Sequence, residues 1–220
     1  MRYFKVNFSI GKDVGSVMPQ ANESSTVVSE INTINNSWLS KINESNIDFP
    51  SMILRKRAKK TDLISVSYLG YSSRLLISDK LKLILEKYQN ENVQFFKTRI
   101  IYKDVEDSNY WVVHPYRVDY DFVDYSKSII NKQNILSTDP KEYVNIDSKE
   151  DFIKQRTHHG TDGKIWGFTI EKIVFKDKIT DFFILDGVSS GIGYYVSEKL
   201  KNEIEEAGCT GIEFEPVGLT

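Results

Sequence analysis

Gly187-Val188-Ser189-Ser190-Gly191 has the G-x-S-x-G spacing that, at a sharp strand-to-helix turn, exposes a serine nucleophile in hydrolases. The run before it, Phe182 to Leu185, reads as a strand, but Ile192 to Val196 after it reads as a second strand rather than a helix. In that fold the activating histidine follows the serine, whereas His114, His158 and His159 all precede it. A Gly/Ser hairpin is the expectation. His158-His159-Gly160-Thr161-Asp162-Gly163 offers imidazole and carboxylate, ligand types suited to a divalent metal. Adjacent histidines on a strand point to opposite faces, and the glycines and Asp mark a turn or loop, so no metal is expected. Asp119, Asp121 and Asp124 could gather around a hard cation such as Mg²⁺. Val118 to Phe122, however, alternates apolar and acidic residues, as a strand with one solvated face does. Arg55, Lys56, Arg57, Lys59 and Lys60 crowd six consecutive positions after Met52-Ile53-Leu54. No aromatics interleave with them as in a single-strand nucleic-acid groove, so a solvated connector is expected. Cys209, directly after Gly208 and without a nearby His or Lys, reads as a small apolar residue rather than a reactive thiol.

The elements that would position these groups belong to an ordinary globular chain: 220 residues, 40% hydrophobic and 27% charged. Twenty-nine basic against 31 acidic residues leave a net charge of −2, which argues against a dedicated polyanion binder; no nucleic-acid partner is expected. The sum hides an asymmetry, since residues 1–61 carry +4 and residues 62–220 carry −6. A single cysteine excludes an internal disulfide framework or multi-cysteine zinc site and suits a reducing, cytoplasmic setting. The uncharged N-terminal stretch is too short for a signal peptide, and the apolar positions Tyr3, Val6, Phe8 and Ile10 look more like a first strand. The longest uncharged stretches, of eleven residues, are half of a membrane span, so no membrane partner is expected either. Nothing calls for a cofactor.

Sliding the sequence against itself by 119 residues aligns 62–96 with 181–215 without a gap. Seven of the 35 positions are identical: Asp62/Asp181, Ser78/Ser197, Lys80/Lys199, Leu81/Leu200, Lys82/Lys201, Glu86/Glu205 and Phe95/Phe214. Ser78 and Ser197 are suited to cap two helices, with Asp79 and Glu198 in the first turn where the helix dipole favours an acid. Leu81, Ile84, Leu85 and Tyr88, and Leu200, Ile204 and Ala207, give each helix one apolar stripe. With apolar runs on either side, each unit reads β-turn-β-α-β. Further strands are expected over 95–102, 110–122 and 165–175, and an amphipathic helix within 20–47 from Ile31, Ile34, Trp38 and Ile42. The expected fold is α+β, a mostly antiparallel or mixed sheet with two related units (62–96 and 181–215) and covering helices. One domain over 1–220 is expected, with 1–61 as a variable segment and 62–217 as the core.

Val196-Ser197-Glu198-Lys199-Leu200-Lys201 and the run Glu205 to Val217 resemble the closing signature of a bacterial immunity-protein family, number eleven among those protecting against polymorphic toxins. Tyr110-Trp111-Val112-Val113-His114-Pro115, then Val118-Asp119 and Asp124, are similar to its central block, and Asp62 to Phe95 to its first helix region. The resemblance covers 62–217; His114 and Cys209 stand where the family pattern has Asn and Leu. It implies a cytoplasmic, non-enzymatic protein that binds a cognate toxin or secreted effector encoded by an adjacent gene and blocks its active site. It carries over no catalytic residue and leaves the oligomeric state open. The 27 aromatic residues supply anchors for such an interface. If the toxin is a nuclease with a basic groove, Asp119, Asp121 and Asp124 in one acidic cluster, or Glu213 and Glu215 in the other, are the candidates to enter it. Two alternatives are an adaptor using the basic run 55–60 and a serine hydrolase built on Ser189.

Overall fold

The computed structural model describes residues 2–25, 39–42, 49–88, 91–134, 140–157, 166–177, 179–188 and 191–217. Among them run thirteen strands: β1 (Tyr3–Phe8), β2 (Ala21–Ser24), β3 (Met52–Leu54), β4 (Leu63–Ile64), β5 (Leu75–Ser78), β6 (Val93–Tyr102), β7 (Val105–Pro115), β8 (Ile129–Asn134), β9 (Glu142–Val144), β10 (Trp166–Lys172), β11 (Phe182–Asp186), β12 (Ile192–Ser197) and β13 (Ile212–Val217). Three α-helices accompany them: α1 (Asp79–Glu86), α2 (Lys149–Thr157) and α3 (Glu198–Glu206). None is long and apolar enough to cross a membrane.

The strands form three sheets, of six (β2-β3-β6-β7-β5-β4), four (β11-β12-β1-β13) and three strands (β10-β8-β9). β3 and β6 run parallel and the other ladders are antiparallel, so the fold is the expected α+β with mixed and antiparallel sheets.

The repeat is architectural. In the first unit β4 and β5 pair, α1 follows, and β6 returns; in the second β11 and β12 pair, α3 follows, and β13 returns. Each return strand is separated from its hairpin by an inserted antiparallel strand, and here the chain supplies the same place from two sources. β7, directly after β6, fills it in the first unit, whereas the chain's opening strand β1 fills it in the second. The register agrees to the residue: Tyr110 lies opposite Ser78 and Val113 opposite Phe95, as Tyr3 lies opposite Ser197 and Val6 opposite Phe214.

The strands β4, β5, β11 and β12 are buried on both faces, which is why they read as continuous apolar runs. Leu75, Ile77 and Val113 of one sheet meet Phe182, Ile184, Tyr194 and Val196 of the other in a central core that also takes Leu81, Ile84, Leu85, Leu200 and Ile204 of the helices. Leu76, Ile100, Tyr110 and Val112 point the other way, onto Ala21, Ile42, Phe49 and Met52. Phe183, Leu185 and Tyr195 likewise pack against Ile130, Phe152, Phe168 and Ile170.

Two expectations meet different outcomes. The strand expected to reach residue 122 stops at Pro115, and Tyr120–Phe122 is a 3₁₀ turn. Pro115 has no N–H to continue a ladder; the Tyr116 amide turns to the Asn92 carbonyl (3.0 Å) and that of Asp119 to the Ile184 carbonyl (2.8 Å). The helix expected within 20–47 falls mostly on residues outside the described ones; Ala21–Ser24 at its start is β2, and Ile42 is buried.

Candidate functional site

The seven repeated identities make the same contacts in both units. The Ser78 and Ser197 hydroxyls accept from the amides of Leu81 and Leu200 at 3.2 Å, starting α1 and α3. The same hydroxyls donate to Asp62 at 2.6 Å and Asp181 at 2.5 Å. Lys80 lies 3.1 Å from Asp62, and Lys199 lies 3.9 Å from Asp181. Lys82 and Lys201 each pair with the glutamate one turn on, Glu86 or Glu205, at 2.6 Å. Each also lies over two rings: Lys82 over Phe95 and Trp111, Lys201 over Phe214 and Phe4. Leu81 and Leu200 enter the central core. Trp111 and Phe4 are again the matching positions of β7 and β1, so the lysine-over-aromatics arrangement is common to both units.

The first unit adds an interlock with the second. The Asp62 carboxylate accepts from the Thr210 amide (2.8 Å), and the amides of Asp62 and Leu63 donate to the Thr210 carbonyl. Burial pushes the Asp62 carboxyl up, but Ser78, the Thr210 amide and Lys80 together hold it below the usual range. Gly211 makes the approach possible: at φ +81° a Cβ there would lie 2.2 Å from the Leu63 carbonyl oxygen.

The five acidic candidates separate. Asp119 is buried; its Oδ2 accepts from the Ile184 amide (2.9 Å) and Asn92 Nδ2 (3.1 Å), and burial raises its pKa. It ties β11 to the chain after β7. Asp124 holds Ser126 Oγ and Lys127 within its own turn, and Lys127 lowers its pKa. Asp121 is exposed and reaches Lys149 at the start of α2 (2.7 Å). Glu213 and Glu215 are exposed on β13, where Glu215 accepts from Asn7. Other acids nearby in the sequence are paired as well: Glu106 with Arg99, Asp107 with Lys60, and Glu203 with Lys87 and Tyr88.

The other sequence candidates resolve as follows. β11 and β12 form the expected antiparallel hairpin, closed by the Gly187 amide on the Gly191 carbonyl (3.1 Å) with both glycines at positive φ; Ser189 itself lies outside the described residues. α3 begins at Glu198, well beyond the turn, so no strand-to-helix elbow exists there. His158 and His159 also lie outside the described residues. The basic run is a turn after β3: Arg55 reaches the Met18 and Pro19 carbonyls, Lys59 the Lys12 carbonyl, and Lys60 Asp107. Cys209 packs on the central core, and burial pushes its thiol up to about 11, so it is protonated at neutral pH.

Two polar pairings in the interior, at the buried Asp186 and the buried His114, escaped the sequence reading. Arg156 on α2 donates to Asp186 (2.6 Å) and Tyr120 Oη (3.1 Å), and stacks on Phe152. Asp186 ends an apolar run just before Gly187, a pattern that marks a strand-end acid, but its partner lies 30 residues away. The fully buried His114 accepts from Arg74 Nε at Nδ1 (2.9 Å) and so donates from Nε2 to the Ser40 carbonyl (2.8 Å). Burial holds it neutral, its pKa lowered to about 4.

What these contacts describe is a pair of repeated units locked together by backbone and side-chain bonds, with most of the charged side chains at the surface. A family model described as Immunity protein family (Imm11) matches residues 2–219, wider than the 62–217 stretch that carried the resemblance. The chain belongs to this family, which gives it an immunity role and a cognate toxin as partner. A search of curated proteins returns no match.

Proposed function

We propose that this chain neutralises an antibacterial effector, encoded beside it, by binding the toxin domain and covering its active site without catalysis, in the cytoplasm of the producing cell. Family membership over nearly the whole chain carries the reading. The interlocked pair of units is suited to it, because a preorganised surface loses little entropy on association. Of the acidic candidates, Asp121, Glu213 and Glu215 have side chains at the surface and are the ones we assign to the toxin; Asp119 and Asp124 serve the fold. Carboxylates there would speed encounter with a basic groove.

The test is co-expression. The toxic domain encoded beside this chain should stop growth alone, be harmless with the chain present, and co-purify with it. Failure of rescue together with failure to co-purify sinks the proposal.

A further inference from the structure

β13 closes one side of the four-stranded sheet, and among the described residues no strand pairs with its outer edge. One bond fixes which backbone groups face outward: the Ser9 amide donates to the Gly211 carbonyl at 3.0 Å. Backbone groups alternate sides along a strand, and Asn7 and Lys5 lie opposite Glu213 and Glu215. Glu213 and Glu215 therefore turn their N–H and C=O groups towards β1, while Ile212 and Phe214 turn theirs out. Pro216 also faces out but has no N–H, which ends the open ladder after Phe214 and limits indiscriminate edge pairing.

In the first unit the chain itself lies along the corresponding strand. β6 is the counterpart of β13, and the Gln94 side chain exchanges two hydrogen bonds with the Ile42 backbone, at 2.8 and 3.0 Å. Further along, Thr98 Oγ1 donates towards the Phe49 and Pro50 carbonyls, and β3 pairs with Ile100 and Ile101. Among the described residues the chain thus lies along β6 in the first unit, while no strand pairs with the outer side of β13 in the second. The chemistry at the open edge is acidic. Glu213 and Glu215 stand exposed on one face of β13. Glu205, half exposed, is held over the other face by Lys201, which lies on the Phe214 ring.

We infer that this edge takes one extended segment of the toxin, which adds a strand to β13 through the backbone of Ile212 and Phe214 and places Lys or Arg against Glu213 and Glu215. Main-chain pairing supplies affinity and the alternating side chains supply choice of partner. The inference rests on the toxin-binding reading above, but its test does not.

The probe is a synthetic peptide of about ten residues alternating lysine and valine, of the length a strand addition needs. It is titrated against the full chain beside two relatives, one N-methylated throughout and one with glutamate for lysine. Only the first should bind, more weakly at high salt, and it should slow amide exchange at Ile212 and Phe214 by about ten-fold or more. The double variant Glu213→Lys and Glu215→Lys, with unchanged circular dichroism, should weaken binding by about ten-fold. No binding of the lysine peptide, equal binding of the N-methylated one, or unchanged exchange at Ile212 and Phe214 overturns the inference. So does a dimer in which those two amides are already protected, since the edge then belongs to a second copy. Any of these results alongside intact rescue by co-expression removes the edge pairing and leaves the toxin reading standing; peptide binding without rescue does the reverse.

Discussion

Replacing Ser78 or Ser197 by alanine removes one hydroxyl that does two things: it caps a helix and it donates to a carboxylate. Loss of a serine N-cap costs about 1 kcal/mol. Asp62 and Asp181 have side chains 12% and 27% exposed, so taking away a donor to each costs about 1–2 kcal/mol more. Each alanine variant should therefore lose about 2–3 kcal/mol, seen in a chain of this size as a melting temperature lower by about 5–10 °C. Ser78→Thr keeps both functions and should stay within about 0.5 kcal/mol of the parent. The decisive assay is a double-mutant cycle by urea unfolding. Ser78→Ala with Asp62→Ala should show a coupling of about 1 kcal/mol or more, whereas Ser78→Ala with Asp181→Ala, which share no bond, should be additive within about 0.5 kcal/mol. Alanine variants as stable as the parent, or equal coupling within and between units, would refute the account of the repeat as two separately capped copies.

Three further outcomes follow from the packing. Gly211→Ala forces a Cβ to within 2.2 Å of the Leu63 carbonyl at φ +81°, so it should cost about 3 kcal/mol or more and loosen the amides of Asp62 and Leu63 in hydrogen exchange. Asp186→Ala leaves the half-buried Arg156 guanidinium without its carboxylate and should cost about 1.5–3 kcal/mol in urea unfolding, whereas Asp121→Ala, which breaks an exposed pair with Lys149, should cost under about 0.5 kcal/mol. His114 has its folded pKa lowered from 6.5 to about 4, so the unfolded chain takes up the proton first as pH falls through that window. Stability should drop by about 2 kcal/mol between pH 7 and 5, above the range where most carboxylates protonate, and His114→Asn should flatten that part of the curve.

Local chemistry was legible wherever a residue acts on its near neighbours. The helix starts at Ser78 and Ser197 are set by hydroxyls three residues from the amides they bind. The hairpin at Gly187–Gly191 follows from glycines that tolerate positive φ, and the burial of Leu81 and Leu200 from helical periodicity. Pro216, directly after the exposed Glu215, even carries the mark of an edge strand, a signal that can be read without coordinates. The alternation at Val118 to Phe122 misled because an acid next to an apolar residue looks the same whether it faces water or a buried amide. Asp119 faces the Ile184 amide, 65 residues on.

The sequence by itself determined the two units, their caps and their apolar stripes, since each depends on contacts within a few turns of chain. It could not say that the strand completing the second unit is β1, or that Asp62 is held by Thr210. Those pairings join residues more than a hundred positions apart. Backbone hydrogen bonding is nearly indifferent to side-chain identity, so such long-range choices leave no local signature and are decided only when the whole chain packs.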